Sequence, residues 1–400
     1  MNRLERLVHI SRKPSRRVIG LMSGTSLDAI DVAMVRIKGH GARSSVKLEE
    51  FRSYPFPPKV RLAVRDLFDP RRARVDQICR YDFIMGELFA AAVLRLLRDT
   101  GTKPRRVDLV AVAGQTIWHD PDPVIVQADV PWIDGPIETR STFAIGQSAV
   151  IAERTGIITI GDLRVRDVAA GGQGAPLVPY FDWVLLRHRR RGRCIQNIGG
   201  IGNVTWIPSG GSWQDVVAFD TGPGNMIIDE LAAIATNGKQ NYDVDGLLAA
   251  SGTVDQALLD EWMSDPYFIR QPPKTTGREL FGAQFAARIV TEARGRKIED
   301  LIATATALTA ESIARAYRHF IEPRGKIHEV LLAGGGSKNP TLVEMIRSRL
   351  PDRKIVIYEA SEAKEAMAMA MIANDSVYGL HTNIAGATGG RPAILGKICL

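Results

Sequence analysis

The chain has 400 residues, 45% of them hydrophobic and 24% charged, with a formal net charge of +8, a composition that suits a globular protein of two domains. No apolar run is long enough to cross a bilayer, and the basic start (Arg3, Arg6, Arg12, Lys13, Arg16, Arg17) has no apolar centre of the secretory kind, so it is expected to form a frayed tail. The three cysteines, Cys79, Cys194 and Cys399, lie far apart without metal-ligand spacing, which fits a reducing, cytoplasmic setting.

Residues 18–22, 30–37 and 46–54 predict three successive strands. Between the first two lies the turn Ser23-Gly24-Thr25-Ser26-Leu27-Asp28. Glycine lets backbone N–H groups converge on an anion, and the hydroxyls add donors, so this turn is a candidate phosphate clamp. Asp28 reads equally as a turn cap or as a carboxylate that holds Mg²⁺ beside nucleotide phosphates.

Helical periodicity follows at 59–68 and 75–97, and then a buried strand over 108–113 that runs into Gly114-Gln115-Thr116. The Asp- and Pro-rich segment 119–142 predicts a long loop or lid. Asp162, Arg164 and Asp167 precede the glycine-rich run 171–174. Taken by composition alone they suit an ion-paired linker; their functional reading is contact with a polyhydroxylated ligand.

The basic run Arg187–Arg193 falls between a helix end and a strand start, where a solvated loop is expected. It lacks interleaved aromatic residues, so neither nucleic acid nor membrane is expected as a partner. The first pattern then recurs. Strands at 194–199, 203–207 and 216–219 predict a second meander, with a second glycine turn, Asn197-Ile198-Gly199-Gly200, and Asn203 beyond it. Phe219-Asp220-Thr221-Gly222-Pro223-Gly224-Asn225 is a strand that ends in an acid and leads into a helix; ligands bind at such strand ends, which makes Asp220 a candidate general base. Strands at 328–333 and 354–358 alternate with helices at 282–294, 303–320, 339–350 and 363–378. Gly334-Gly335-Gly336, ahead of Asn339, either makes a tight turn or packs flat on an adenine ring. Glu365 opens the last long helix, whose Met367, Met369 and Met371 read as core filler.

Together these motifs resemble the anhydro-N-acetylmuramic acid kinase family, of the actin, sugar-kinase and heat-shock ATPase superfamily. The carriers include 22–28, 114–116, 151–156, 167–177, 197–200, 219–225, Pro272-Pro273-Lys274-Thr275-Thr276-Gly277-Arg278-Glu279 and 334–336. The resemblance implies an α/β fold of two actin-like ATPase lobes, each a mixed β-sheet flanked by helices, with the active site in the cleft between them. The expected lobes are 1–168 with 379–400, and 169–378. The implied reaction uses ATP and Mg²⁺ to open a 1,6-anhydro sugar with water and phosphorylate O6, in a cytoplasmic homodimer that serves peptidoglycan recycling.

By the same resemblance Asp220 is the base that activates water, and Asp28 and Glu365 serve the metal. Ser23, Gly24, Thr25, Ser26, Asn197, Gly199, Gly200, Asn203, Gly222 and Gly224 clamp phosphates, and Gly334, Gly335, Gly336 and Asn339 face the adenosine. Gln115, Asp162, Arg164 and Asp167 face the sugar. The chain departs from the family at Ala29, Ala113, Gln147 and Thr275, mostly on the sugar side. The related levoglucosan kinases, which act on 1,6-anhydroglucose and share the Thr275–Glu279 form, are the alternative. A nucleotide-dependent binding module is the alternative from another class, and the short chain after the last helix counts against it.

Overall fold

A computed structural model describes residues 2–24, 27–292, 295–359 and 362–400. The chain divides into two compact units, Met1–Leu185 with Ser361–Leu400, and Leu186–Ala360.

In the first unit, Ser15–Ser23 (β1), Ala29–Lys38 (β2) and Ser45–Pro55 (β3) form an antiparallel meander. Leu109–Val112 (β4) joins β1 in parallel, and its four residues are all buried, as a strand covered on both faces requires. Gln115–Val126 (β5) and Ile137–Ile145 (β6) make a separate two-stranded hairpin, and Thr159–Gly161 (β7) adds in parallel to β4. The segment expected as a long loop is therefore mostly hairpin, with its ladder interrupted between Asp120 and Val124. The β-branched residues Val124, Ile125, Val126, Thr139 and Thr142 favour strand there despite the Asp and Pro content.

The basic N-terminal segment is likewise no tail. Arg3–Arg12 is a helix with a capping box: the Asn2 side chain accepts from the Glu5 N–H, and the Glu5 carboxylate accepts from the Asn2 N–H. Arg6 donates to the carbonyls of Val107 and Gly156, which docks this helix on the sheet. Arg16 is fully buried and donates to Asn374 Oδ1 at 2.6 Å, to the Gly39 carbonyl at 2.6 Å and to the Tyr378 hydroxyl. Burial of its guanidinium is tolerated because its donors are satisfied.

The second unit repeats the plan. Arg193–Ile198 (β8), Ile201–Ile207 (β9) and Val217–Pro223 (β10) form a meander, and Glu329–Ala333 (β11) and Lys354–Ile357 (β12) add in parallel. The strand orders β3-β2-β1-β4-β7 and β10-β9-β8-β11-β12 are the same, so each unit is a mixed α/β sheet flanked by helices. The basic run beside β8 is partly structural: Arg191 and Arg193 both pair with the buried carboxylate of Glu329.

The chain then returns to the first unit through the helix Lys364–Ser376 and Lys397–Cys399 (β13), antiparallel to β7. That helix is buried from Ala366 to Ser376, including Met367, Met369 and Met371. It lies so close to β1 that a Cβ on Gly20 would be 1.8 Å from the Ala366 carbonyl oxygen. Segments 169–185 and 361–378 thus pack with the first unit, whereas their place in the sequence suggested the second. Small and flexible residues let this helix sit down on the first sheet. No helix among the described residues is long and apolar enough to cross a membrane.

Candidate active site

In the first unit, β1 ends at Ser23, whose hydroxyl donates to Gln115 Oε1 at 2.5 Å. Gln115 is itself buried and donates to the Thr116 carbonyl. A residue expected at the sugar and one expected at the phosphates are therefore tied to each other. Gly24 accepts the N–H of Leu27, which turns the chain into β2. Thr25 and Ser26 lie outside the described residues. Asp28 is mostly exposed and forms an ion pair with Arg61.

Asp162 accepts from Lys397 Nζ at 2.8 Å. Arg164 donates to the Gly174 carbonyl at 2.9 Å, while its Nε is buried without a partner among the described residues, as is Gln173 Oε1. Burial lowers the pKa of Arg164, against the opposing charges of Glu365 and Asp167. Glu365, in the first turn of its helix, is pushed up by burial; Arg164 opposes the rise and Asp31 adds to it. Asp167 is fully buried. One of its oxygens accepts from the Gly174 N–H at 2.7 Å, the other from Asn383 Nδ2 at 2.6 Å and Thr388 Oγ1 at 2.8 Å. Its carboxylate is thus committed to holding the glycine loop 171–174 against the segment 383–388, a structural task that the sequence reading as a sugar contact did not foresee.

No group of three His, Cys, Asp or Glu among the described residues is arranged to hold a metal ion. Asp28 and Glu365 have different partners. Mg²⁺ nevertheless needs only one or two protein carboxylates when phosphate oxygens and water complete its shell. Glu365, with Asp31 nearby, offers oxygen donors of that kind.

The second unit gathers its glycines tightly. The Gly199 carbonyl accepts the Asn225 N–H at 2.7 Å, and the Gly200 carbonyl accepts those of Gly224 at 2.9 Å and Met226 at 3.2 Å. The β8–β9 turn is so fastened to the start of the helix Met226–Ala235. A Cβ on Gly224 would lie 2.2 Å from the Gly199 carbonyl oxygen, and one on Gly334, at φ +82°, 2.6 Å from that of Ile198. Only glycine permits both approaches. Gly336 packs on Ile198 and Asn225, and Asn339 caps the helix Pro340–Arg349 by accepting the Leu342 N–H at 3.0 Å. Asn225, Gly335, Gly336 and Asn339 line a cavity of about 450 Å³ together with Asp229 and the segment 241–245. That volume lies in the range of small-molecule sites.

Sequence reasoning missed Asp229 and the segment 241–245. Asp229 sits one helical turn beyond Asn225, a spacing that could have flagged it. Its carboxyl is pushed up to about 6 by burial, with Glu230 and Asp243 adding to the rise.

Asp220 lies on β10 opposite Asn203 on β9, and the register shifts between Asp220 and Gly222. Such a bulge redirects the strand end. Three hydrogen bonds fix Asp220. Its N–H donates to the Lys274 carbonyl at 3.1 Å, and its carbonyl accepts from the Tyr267 hydroxyl at 2.7 Å. Its Oδ2 accepts from the Thr276 N–H at 2.9 Å, and its carboxyl is pushed up to about 6. Burial is the main cause; the Thr276 N–H and the Lys274 charge oppose it, and Glu279 adds to it. A held carboxylate of this pKa is mostly ionised at pH 7 and able to accept a proton. The Thr276 hydroxyl beside it is buried with no partner among the described residues.

The sequence model of the family described as anhydro-N-acetylmuramic acid kinase matches residues 16–400. The chain belongs to the anhydro-N-acetylmuramic acid kinase family. A relative of that name from Caldanaerobacter subterraneus subsp. tengcongensis is 48% identical over 99% of this chain and 100% of its own. One from Bacillus cereus is 42% identical over 95% and 98%. Membership makes this chain an ATP-dependent sugar kinase, a class that needs charge neutralisation and positioning more than covalent chemistry.

Proposed function

We propose that the chain converts 1,6-anhydro-N-acetylmuramic acid, water and ATP into N-acetylmuramic acid 6-phosphate and ADP. Asp220 takes a proton from water as its oxygen bonds to the anomeric carbon. The bond from that carbon to O6 breaks, and O6 takes the γ-phosphoryl group of ATP while ADP leaves. The observation that carries this reading is Asp220 itself: a carboxylate fixed by a backbone donor, with a pKa of about 6, in a chain of this family.

Other features support the assignment of roles. The turns at 197–200 and 222–225 and the cavity beside Gly335 and Gly336 suit phosphates and adenosine. The unpartnered Arg164 Nε, a donor, suits a sugar oxygen or a carboxylate, and Gln173 Oε1, an acceptor, suits a sugar hydroxyl. Glu365, and Asp28 if it is released from Arg61, would hold Mg²⁺, which when bound neutralises phosphate charge.

The test measures ADP release with anhydro-N-acetylmuramic acid, N-acetylmuramic acid, levoglucosan and glucose. Turnover is expected with the anhydro-muramic sugar and not with the two reducing sugars; equal rates with bridged and reducing forms would overturn the reading. Asp220→Asn should lose roughly 10²–10⁴-fold in kcat with ADP affinity retained.

A further inference from the structure

We propose that Lys274, caged by aromatic rings close to Asp220, is a positioning residue for the reaction: it locks the base in place and supplies its counter-charge. This rests on the reading of Asp220 as the base. Lys274 is only 1% exposed. Its Nζ lies 4.5 Å from the ring centre of Tyr267, 4.7 Å from that of Phe320 and 5.9 Å from that of Phe219. It donates to the Tyr267 carbonyl at 3.0 Å. A buried ammonium with one hydrogen-bond acceptor among the described residues is unfavourable unless rings and a nearby anion compensate, and a methionine would fill the space without that penalty.

The hydrogen bonds form a closed ring. Lys274 Nζ holds the Tyr267 carbonyl, the Tyr267 hydroxyl holds the Asp220 carbonyl, and the Asp220 N–H holds the Lys274 carbonyl. Two residues further on, the Thr276 N–H meets the carboxylate. The ammonium therefore fixes the loop that aims the base. Facing Asp220 are the charges of Lys274 and Glu279 and the phenol of Tyr267, whose own pKa is pushed upward by burial and by Asp220, so that it stays a donor. Facing Lys274 are Asp220 and Arg270. Burial, with Arg270 adding, brings the Lys274 ammonium down to about 8, so the cation persists at neutral pH.

The sign of the effect follows. A cation near a carboxylate favours the ionised form, so its removal raises the pKa of the base. The experiment records kcat against pH for the wild type, Lys274→Met, Lys274→Gln and Lys274→Arg, with ADP affinity measured for each. The acid limb is expected to move up by about one pH unit in the Met and Gln variants, and to stay near the wild-type position in Lys274→Arg. The Gln variant keeps a donor for the Tyr267 carbonyl and decides the matter if the Met variant fails to bind ADP. An unmoved limb in a charge-deleted variant that binds ADP normally overturns the proposal, as does an equal shift in Lys274→Arg. Asp220→Asn, run alongside, separates the two readings. If it abolishes turnover while the limb ignores Lys274, the base assignment stands and only the role of Lys274 falls.

Discussion

Thr276 donates its backbone N–H to Asp220 Oδ2 over 2.9 Å, across 56 residues of sequence. One oxygen of the base is thereby fixed by a donor that cannot titrate, while the Thr276 hydroxyl beside it stays unpartnered among the described residues.

The pH dependence of turnover follows from this arrangement. Asp220 has to be ionised to act, so kcat should fall as the pH drops through about 6 and be flat just above it. Glu279 raises the pKa of the base, so Glu279→Gln should carry the acid limb to lower pH. Initial rates at saturating substrate check both; a limb near 4 in the wild type, the ordinary carboxylate range, would contradict the burial argument.

Asp167 should prove structural. Asp167→Ala leaves the Gly174 N–H, Asn383 and Thr388 donors without their acceptor. The Thr388 hydroxyl can still turn to the Ile384 carbonyl, and each of the other two buried unsatisfied donors costs about 1–3 kcal/mol, so the expected loss is about 2 kcal/mol or more. Denaturant unfolding measures it. If Asp167→Asn instead keeps full stability and loses turnover, Asp167 acts on the substrate after all.

Gly224→Ala should damage nucleotide binding. The added methyl meets the Gly199 carbonyl oxygen at 2.2 Å, a backbone atom that cannot rotate away. Parting the β8–β9 turn from its helix should weaken ADP roughly tenfold or more, about 1.4 kcal/mol. Titration calorimetry reads this directly, and an unchanged Kd would remove the turn from the nucleotide site.

Gly20→Ala should destabilise the first unit. The methyl would lie 1.8 Å from the Ala366 carbonyl oxygen and 3.0 Å from the Ala370 nitrogen. Overpacking of this kind costs about 1–3 kcal/mol, occasionally more. A lowered Tm is expected; an unchanged one would mean that the helix Lys364–Ser376 rests on β1 more loosely than described.

The amino-acid sequence alone determined the two meanders, their glycine turns, the family and the candidate base, because alternation of apolar residues and the backbone freedom of glycine act over a few residues. The methionines 367, 369 and 371 could be read as core for the same reason, being apolar wherever they fall. What the charged residues do was decided only by tertiary structure. Arg16, Asp167 and Lys274 have the composition of surface residues, yet all three are buried beside partners from distant segments: Asn374 for Arg16, Asn383 for Asp167 and the Phe320 ring for Lys274. The same holds for the hairpin β5–β6, whose strands pair across a gap that Asp and Pro disguise as a loop. Burying a charge is favourable only when its partners are already in place, and those partners come from distant segments that no local pattern brings together.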